Sequence, residues 1–102
     1  MKITLHRPLA TNRDRFEAKA DMEREPVFVF NLLDDLVESV KDACEYMFIA
    51  TNKPIEYMEA GSVEEHIAEL FAKKRLYSIS VGDVLEVEGK KFLCSMIGWT
   101  EL

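Results

Sequence analysis

Apolar and polar residues alternate over short stretches in the first third of the chain, and this period of two predicts β-strands. Residues 2–6 alternate before Pro8, which suits a short strand that ends at the proline. Residues 15–23 alternate strictly, so we expect a second, half-buried strand there. After an interruption at Pro26, residues 27–30 form a compact run of Val and Phe that is typical of a third strand.

The pattern changes after residue 30 to steps of three and four residues, the spacing of an apolar stripe along a helix. We expect a first helix that is capped by Asn31 and ends before Pro54, which disfavours helical geometry at Lys53. Its predicted apolar stripe consists of Leu33, Leu36, Val37, Val40, Cys44, Met47 and Phe48.

A second helix is predicted after Gly61. Ser62 and Glu65 have the spacing of a capping box, in which each side chain satisfies a backbone amide at the start of a helix. The helix ends near residues 73–75, whose basic side chains suit the negative end of the helix dipole. Its predicted buried face consists of Val63, Ile67, Leu70 and Phe71.

The C-terminal third predicts three short strands separated by two turns that contain glycine. The first run is 77–81, and Gly82-Asp83 separates it from a strand at 84–88 with one polar face. Glu88-Gly89-Lys90 predicts a tight hairpin. Residues 92–97 are apolar on both faces except at Ser95, so we expect this strand to be central in its sheet.

The order of these elements predicts an α+β fold, a small and mostly antiparallel β-sheet with two helices packed on one face. The chain of 102 residues has the size of one domain, so we expect residues 1–102 to form a single α+β domain. No apolar run approaches the length that crosses a bilayer, and Pro8 breaks the start of the chain before the core of a signal peptide. We therefore expect a cytoplasmic protein with no membrane partner.

The central segment carries the whole excess of negative charge. The chain has a net charge of −6, and residues 27–74 hold four basic and ten acidic residues, a difference of −6. This surface repels nucleic-acid phosphates and attracts a basic partner, or it serves solubility alone. The predicted partner-facing acidic helix carries Asp34, Asp35, Glu38, Asp42 and Glu45.

Residues that signal catalysis or a cofactor are sparse. Cys44 and Cys94 fall on predicted apolar faces, so we expect buried thiols in a reducing compartment rather than a disulfide. The two histidines have no matched nucleophile and no metal-ligand spacing, and no glycine-rich phosphate loop is present. We expect no enzymatic activity, no metal and no cofactor.

The C-terminal third resembles a signature of small proteins encoded by bacteriophages and prophages, a family we call YodL-like. The resemblance rests on the run Ser78-Ile79-Ser80-Val81-Gly82-Asp83-Val84, a glycine hairpin, and the ending Cys94-Ser95-Met96-Ile97-Gly98-Trp99. Thr51-Asn52 is similar to a Thr-Asn pair at the end of an acidic helix in that family. Two positions depart from it, since Tyr77 stands where Arg is usual and Met96 where Ser is common.

The family has no assigned molecular function, so the resemblance implies a phage or prophage accessory protein in the bacterial cytoplasm. A non-enzymatic module that binds a host or phage protein through the acidic helix is the first hypothesis. The alternative is a small sheet module that binds a nucleotide or nucleic acid by hydroxyls and stacking aromatics. The candidate binding residues are Tyr77, Ser78, Ser80, Asp83 and Trp99.

The run that contains these residues has a second interpretation. Gly82 and Asp83 at the start of a strand are typical of a turn, in which Gly permits positive φ and the Asp carboxylate bonds nearby amides. The Ser78-to-Asp83 run then serves as a framework rather than a ligand site. Exposed sheet edges also make a homodimer a possible assembly.

Overall fold

The computed structural model describes residues 1–102 and has the α+β class that the sequence predicts. It contains five antiparallel strands and two α-helices, with short 3-10 turns at Asp34–Leu36 and Ile55–Tyr57. In chain order the elements are β1 (Lys2–Pro8), β2 (Arg24–Asn31), α1 (Val40–Asn52), α2 (Val63–Lys73), β3 (Val84–Val87), β4 (Lys90–Ser95) and β5 (Gly98–Glu101).

The chain divides into two compact units. The first unit consists of Met1–Cys44 with Ser80–Leu102 and contains all five strands, and the second consists of Glu45–Ile79. None of the helices is long and apolar enough to cross a bilayer. Cys44 and Cys94 are buried thiols that form no disulfide, as predicted.

The sheet of the first unit has the strand order β2-β1-β3-β4-β5. Glu88 and Gly89, with φ of 51° and 80°, form the tight turn between β3 and β4, which confirms the predicted hairpin. β4, predicted to be central, is paired on both sides by β3 and β5 and is therefore not an edge strand, although β3 is the middle strand of the five. β2 and β5 are the edges of the sheet.

Strand alternation gives the sheet one apolar and one largely polar face. The polar face carries Lys2, Thr4, His6, Glu86 and Lys91. The apolar face holds the core of this unit, formed by Ile3, Leu5, Phe28, Leu85, Val87, Phe92, Cys94 and Trp99, all buried.

The strand predicted at 15–23 is wrong. These residues form successive turns, in which Glu17 N donates to Asp14 O (2.9 Å) and Lys19 Nζ contacts the Asp14 carboxylate (2.9 Å). β1 is already paired by β2 on one side and by β3 on the other, so it offers no edge to a further strand. The alternating residues also bury no apolar face, since Phe16 is half exposed.

The first helix begins later than predicted, at Val40 rather than after Asn31. Asn31 ends β2, and Ser39 is the residue that caps α1, where its Oγ accepts from Asp42 N (3.1 Å). Extended backbone at Val37 (φ −140°, ψ 158°) separates the 3-10 turn from α1. The leading residues of the predicted apolar stripe therefore lie outside the helix, and Leu33 is 61% exposed.

The second helix confirms the capping box with one change of partner. Glu65 N donates to Ser62 Oγ (3.2 Å), and the Glu65 carboxylate accepts from Gly61 N (2.9 Å) instead of the Ser62 amide. The basic residues predicted at the C-terminus of this helix do lie there, since α2 ends at Lys73.

Two parts of the predicted C-terminal strands are wrong. Residues 77–81 form no strand, and Met96 and Ile97 form the turn between β4 and β5 with 91% and 99% of their surface exposed. The third C-terminal strand is instead β5, which pairs Trp99 with Cys94. Gly98, directly after Met96 and Ile97, has φ of 127°, a conformation that glycine adopts readily and that lets the chain reverse there.

Candidate functional site

The turn at Ser80–Asp83 is the most highly connected part of the motif run. Asp83 N donates to Ser80 O (3.0 Å), and the Asp83 carboxylate accepts from Ser80 N (2.9 Å), so side chain and backbone close the same turn. The carboxylate bonds an amide three residues earlier rather than one further along the chain. Asp83 is 1% exposed, which places its carboxylate inside the first unit.

Arg7 is the principal partner of Asp83. Its Nε and Nη2 donate to the two carboxylate oxygens at 3.1 and 3.0 Å, the bidentate geometry that guanidinium and carboxylate groups share. Arg7 is itself only 5% exposed. Burial raises the pKa of Asp83, while hydrogen bonds from Arg7 and from the Ser80 amide oppose the rise. The pair is therefore an internal connection and not a surface open to ligands.

Gly82 brings three parts of the chain into contact. Its N donates to Cys94 O (3.0 Å), and Cys94 N donates to Asp83 O (2.9 Å), which continues the bonding between β3 and β4 into the turn. Gly82 has φ of 99°, and a Cβ at this position would collide with Arg15 O and lie 2.9 Å from Glu17 O. Only glycine therefore fits between the turn and the 15–17 segment.

Arg24 holds the same turn from the start of β2. Its Nε donates to Gly82 O (2.9 Å), and its Nη2 donates to Lys19 O (2.6 Å). Its Nη1 donates to Met22 O (3.1 Å). One guanidinium thus fixes the turn and the irregular 19–22 segment together.

Thr51 and Asn52 form a corresponding connection in the second unit. Thr51 Oγ1 accepts from Ile79 N (3.1 Å) and donates to Met47 O (3.1 Å). Asn52 Nδ2 donates to both Ile79 O (3.0 Å) and Phe48 O (2.9 Å). The amide and the carbonyl of Ile79 are thus both bonded to the last turn of α1. Through Ile79, the Ser-Ile-Ser run of the signature is joined to the Thr-Asn pair by hydrogen bonds.

Replacement of Thr51 by Val is expected to lower the free energy of unfolding by about 1–3 kcal/mol, because Ile79 N loses its acceptor while the side-chain volume is kept. Denaturant unfolding followed by circular dichroism measures the change. The matched control is Thr100→Val at an exposed position of β5, for which we expect a change within about 0.5 kcal/mol. Equal effects of the two substitutions would contradict the assigned role of Thr51.

The five residues predicted to bind a ligand do not all present their side chains. Asp83 and Trp99 are buried, at 1% and 6% exposure, so neither offers a surface for a ligand. Ser80 is half-buried and its backbone takes part in the turn. Tyr77, 42% exposed, and half-buried Ser78 belong to the second unit.

The predicted acidic helix is not one helix. Asp34 and Asp35 lie in the 3-10 turn, Glu38 lies between that turn and α1, and Asp42 lies in the first turn of α1. All four are exposed and belong to the first unit. Glu45 is also exposed but belongs to the second unit.

Arg7 and Arg24 are the residues that sequence reasoning missed. A signal for Arg7 was present, because the alternation of Ile3 and Leu5 continues to position 7 and places it on the apolar face. A basic residue on a buried face requires a buried acid. Nothing in the spacing identified Asp83, 76 residues away, as that acid.

A polar groove lies on the other face of the sheet. It has a volume of ≈ 270 Å³ and is lined by Lys2, Thr4, Glu86, Glu88 and Gly89. Beside it, His6 Nε2 lies 2.9 Å from Glu86 Oε1. No group of three or more His, Cys, Asp or Glu side chains is arranged to hold a metal ion.

Comparison of the chain with protein-family models, with curated proteins and with solved structures finds no match. The resemblance to small phage and prophage proteins therefore stays a prediction. Thr51-Asn52 and Gly82-Asp83 make their hydrogen bonds to other groups of the same chain. These parts of the signature are accounted for by folding alone.

Proposed function

We propose that this chain is a non-enzymatic protein-interaction module of a phage or prophage that acts in the bacterial cytoplasm and binds a basic surface of a host or phage protein. The binding surface is the acidic segment, defined as Asp34, Asp35, Glu38 and Asp42 with the neighbouring Leu36. The phage origin rests on the C-terminal resemblance, and the mode of binding rests on charge and exposure.

One observation carries the proposal: the protein leaves three of the four carboxylates of the acidic segment uncompensated, while Asp34 pairs with the Met1 ammonium (2.7 Å). Asp35, Glu38 and Asp42 are exposed and none of them forms a salt bridge, whereas Lys19 bridges Asp14 and Glu17. Leu36 is 40% exposed between these acids. An apolar side chain within a rim of one charge sign is typical of a surface that meets a partner of the opposite sign.

The nucleotide-binding alternative receives no comparable support. Stacking on bases requires exposed aromatic rings, but Trp99 is buried and Tyr77, 42% exposed, is the single exposed aromatic residue of the candidate set. Lys90 and Lys91 are the only basic residues in β3–β5. The acidic segment therefore carries the proposal.

Neutralisation of the acidic segment is expected to abolish partner binding. The triple variant Asp35→Asn, Glu38→Gln, Asp42→Asn removes three charges from exposed positions, so its fold should be unchanged. Affinity capture from bacterial lysate, followed by mass spectrometry and by calorimetry with the purified protein identified, measures the effect. We expect a partner with a basic surface, at least about tenfold weaker binding by the variant, and weaker binding at higher salt.

A second triple variant controls for net charge. Glu56→Gln, Glu59→Gln and Glu69→Gln remove the same number of exposed carboxylates from the second unit. This variant should bind the partner as the natural chain does. Equal loss of binding in both variants, or no specific partner at low and moderate salt, would contradict the proposal.

A further inference from the structure

Beyond a bulge at Val27, the β2 edge lacks the features by which sheet edges usually avoid pairing. We define the β2 edge as residues 27–33, Val-Phe-Val-Phe-Asn-Leu-Leu, which contain no charge, no proline and no glycine. Exposed edges in soluble proteins are normally interrupted by lysine, proline or bulges. Here Pro26 lies just before this stretch and Val27 is the extra residue at the register shift opposite Leu5 and His6, while residues 28–31 pair regularly with β1.

The other edge of the sheet is protected in the usual way. β5 has only four residues, begins with glycine and ends with Glu101. Short length and charge both discourage pairing with a further strand. The contrast within one sheet singles out β2.

The main-chain amide and carbonyl groups of Val29 and Asn31 point away from β1, toward the open edge of the sheet. Met1 and Leu32 exchange two main-chain hydrogen bonds, Met1 N to Leu32 O (2.7 Å) and Leu32 N to Met1 O (2.9 Å). Bonded and non-bonded pairs alternate along an antiparallel ladder, so the Asn31 and Val29 pairs with β1 are the non-bonded ones. Their amide and carbonyl groups therefore lie at the open edge.

The side chains of the β2 edge are apolar and partly exposed. Val29 is 54% exposed and Leu33 is 61% exposed, while Phe30 is half-buried and stacks on Phe28 with ring centroids 6.2 Å apart. Leu33 has extended backbone (φ −64°, ψ 131°), so the strand geometry continues to this residue. An extended partner would cover these side chains as well as the main chain.

The sequence of the β2 edge is complementary to itself. In an antiparallel pair of two copies about a two-fold axis at Phe30, Val29 lies opposite Asn31 of the second copy. Their outward main-chain groups then form hydrogen-bonded pairs. In the same register Phe30 faces its equivalent and Leu33 faces Val27. No like charges meet anywhere along the seven residues.

We propose that two copies of this chain associate through the β2 edge, by antiparallel pairing of residues 27–33, to form one continuous ten-stranded sheet. The occupant of this edge is a second copy, because pairing about Phe30 gives hydrogen-bond partners to the outward main-chain groups of both copies and covers the apolar side chains of both. The proposal is independent of the proposed function, since it rests on the β2 edge and not on the carboxylates of the acidic segment.

The test is the oligomeric state at increasing concentration, measured by sedimentation equilibrium. We expect the mass to rise from the 11.8 kDa of one chain to twice that value. Val29→Pro removes the outward amide without removing a bond to β1, and Val29→Lys places like charges near each other across the axis. Each variant should weaken the dimer at least tenfold while circular dichroism shows an unchanged fold.

Two controls separate edge pairing from other effects. Val29→Thr keeps a β-branched side chain and the amide, and Thr100→Lys adds the same charge to the other edge. Both variants should dimerise as the natural chain does. A natural chain that stays monomeric up to about 1 mM overturns the proposal. So does a dimer that persists in either Val29→Lys or a folded Val29→Pro variant.

Discussion

Replacement of Asp83 by Asn lowers the free energy of unfolding by an expected ~3–5 kcal/mol, because it removes the carboxylate that pairs with the buried Arg7 guanidinium. Asn keeps the size of the side chain and an acceptor for the Ser80 amide, so the loss reports the charge and not the turn. Such a change is a large part of the stability of a domain of this size. Denaturant unfolding followed by Trp99 fluorescence measures it, since this sole tryptophan is buried in the same unit.

The control for this prediction is an exposed ion pair in the same unit. Asp14 and Lys19 contact each other at 2.9 Å, but their side chains are 41% and 47% exposed. Asp14→Asn should therefore change the free energy of unfolding by less than about 1 kcal/mol. If Asp83→Asn had no larger effect than Asp14→Asn, the buried pair would not have the structural role assigned to it.

Replacement of Gly82 by Ala is expected to destabilise the first unit by about 3 kcal/mol or more. Positive φ costs a side chain about 1–2 kcal/mol, and overpacking adds a further cost of about 1–3 kcal/mol. The new Cβ meets two backbone carbonyls, those of Arg15 and Glu17, and backbone cannot move aside as a flexible side chain can. We also expect amide exchange to increase within residues 15–24, because the segment must shift away from the turn.

Gly89→Ala separates strain from collision. Gly89 also has positive φ, 80°, but a Cβ there has no atom within 4 Å. Only the conformational cost remains, so we expect a loss of about 1–2 kcal/mol and unchanged exchange in residues 15–24. Similar losses for Gly82→Ala and Gly89→Ala would mean that the 15–17 segment does not press on the turn.

The sequence predicted those elements whose signals are local. The capping box at Ser62, the hairpin at Glu88-Gly89 and the turn at Gly82-Asp83 each depend on residues within a few positions, and all three form. The α+β class followed from their order. Local chemistry was sufficient here because the hydrogen bonds that close the capping box and the turn join residues only three or four positions apart.

The errors arose where distant pairing decides the outcome. Residues 15–23 have the alternation of a strand, but both sides of β1 are occupied by β2 and β3, so no ladder accepts them. Met96 and Ile97 extend the apolar run of β4, but Gly98 allows the chain to reverse and leaves both side chains exposed. Periodicity identifies which residues suit a strand and not whether an edge is available.

The candidate site shows the same division between local and distant information. Sequence reasoning identified Asp83 as a turn residue, but the connections that make it central come from Arg7 and, through Gly82, from Arg24 and residues 15–17. These residues are separated by about 60 to 80 positions, and a single sequence carries no record of such contacts. The acidic segment, by contrast, was visible from charge alone, although not as one helix.

These contacts make the Gly82-Asp83 turn an internal anchor of the first unit. A substitution in the Ser78-to-Asp83 run is then expected to change the free energy of unfolding before it changes binding to a partner. The acidic segment and the β2 edge are the surfaces on which interaction is proposed, and their variants should leave stability almost unchanged. Stability and binding should therefore respond to separate sets of substitutions.

A double-mutant cycle on Arg7 and Asp83 tests this account most directly. Arg7→Met and Asp83→Asn each leave one buried group without its charged partner, whereas the double variant buries no charge at this position. We predict that the double variant is more stable than the sum of the single losses implies, with a coupling free energy of about 2 kcal/mol or more. Additive losses, with a coupling within about 0.5 kcal/mol of zero, would contradict the claim that this pair anchors the turn.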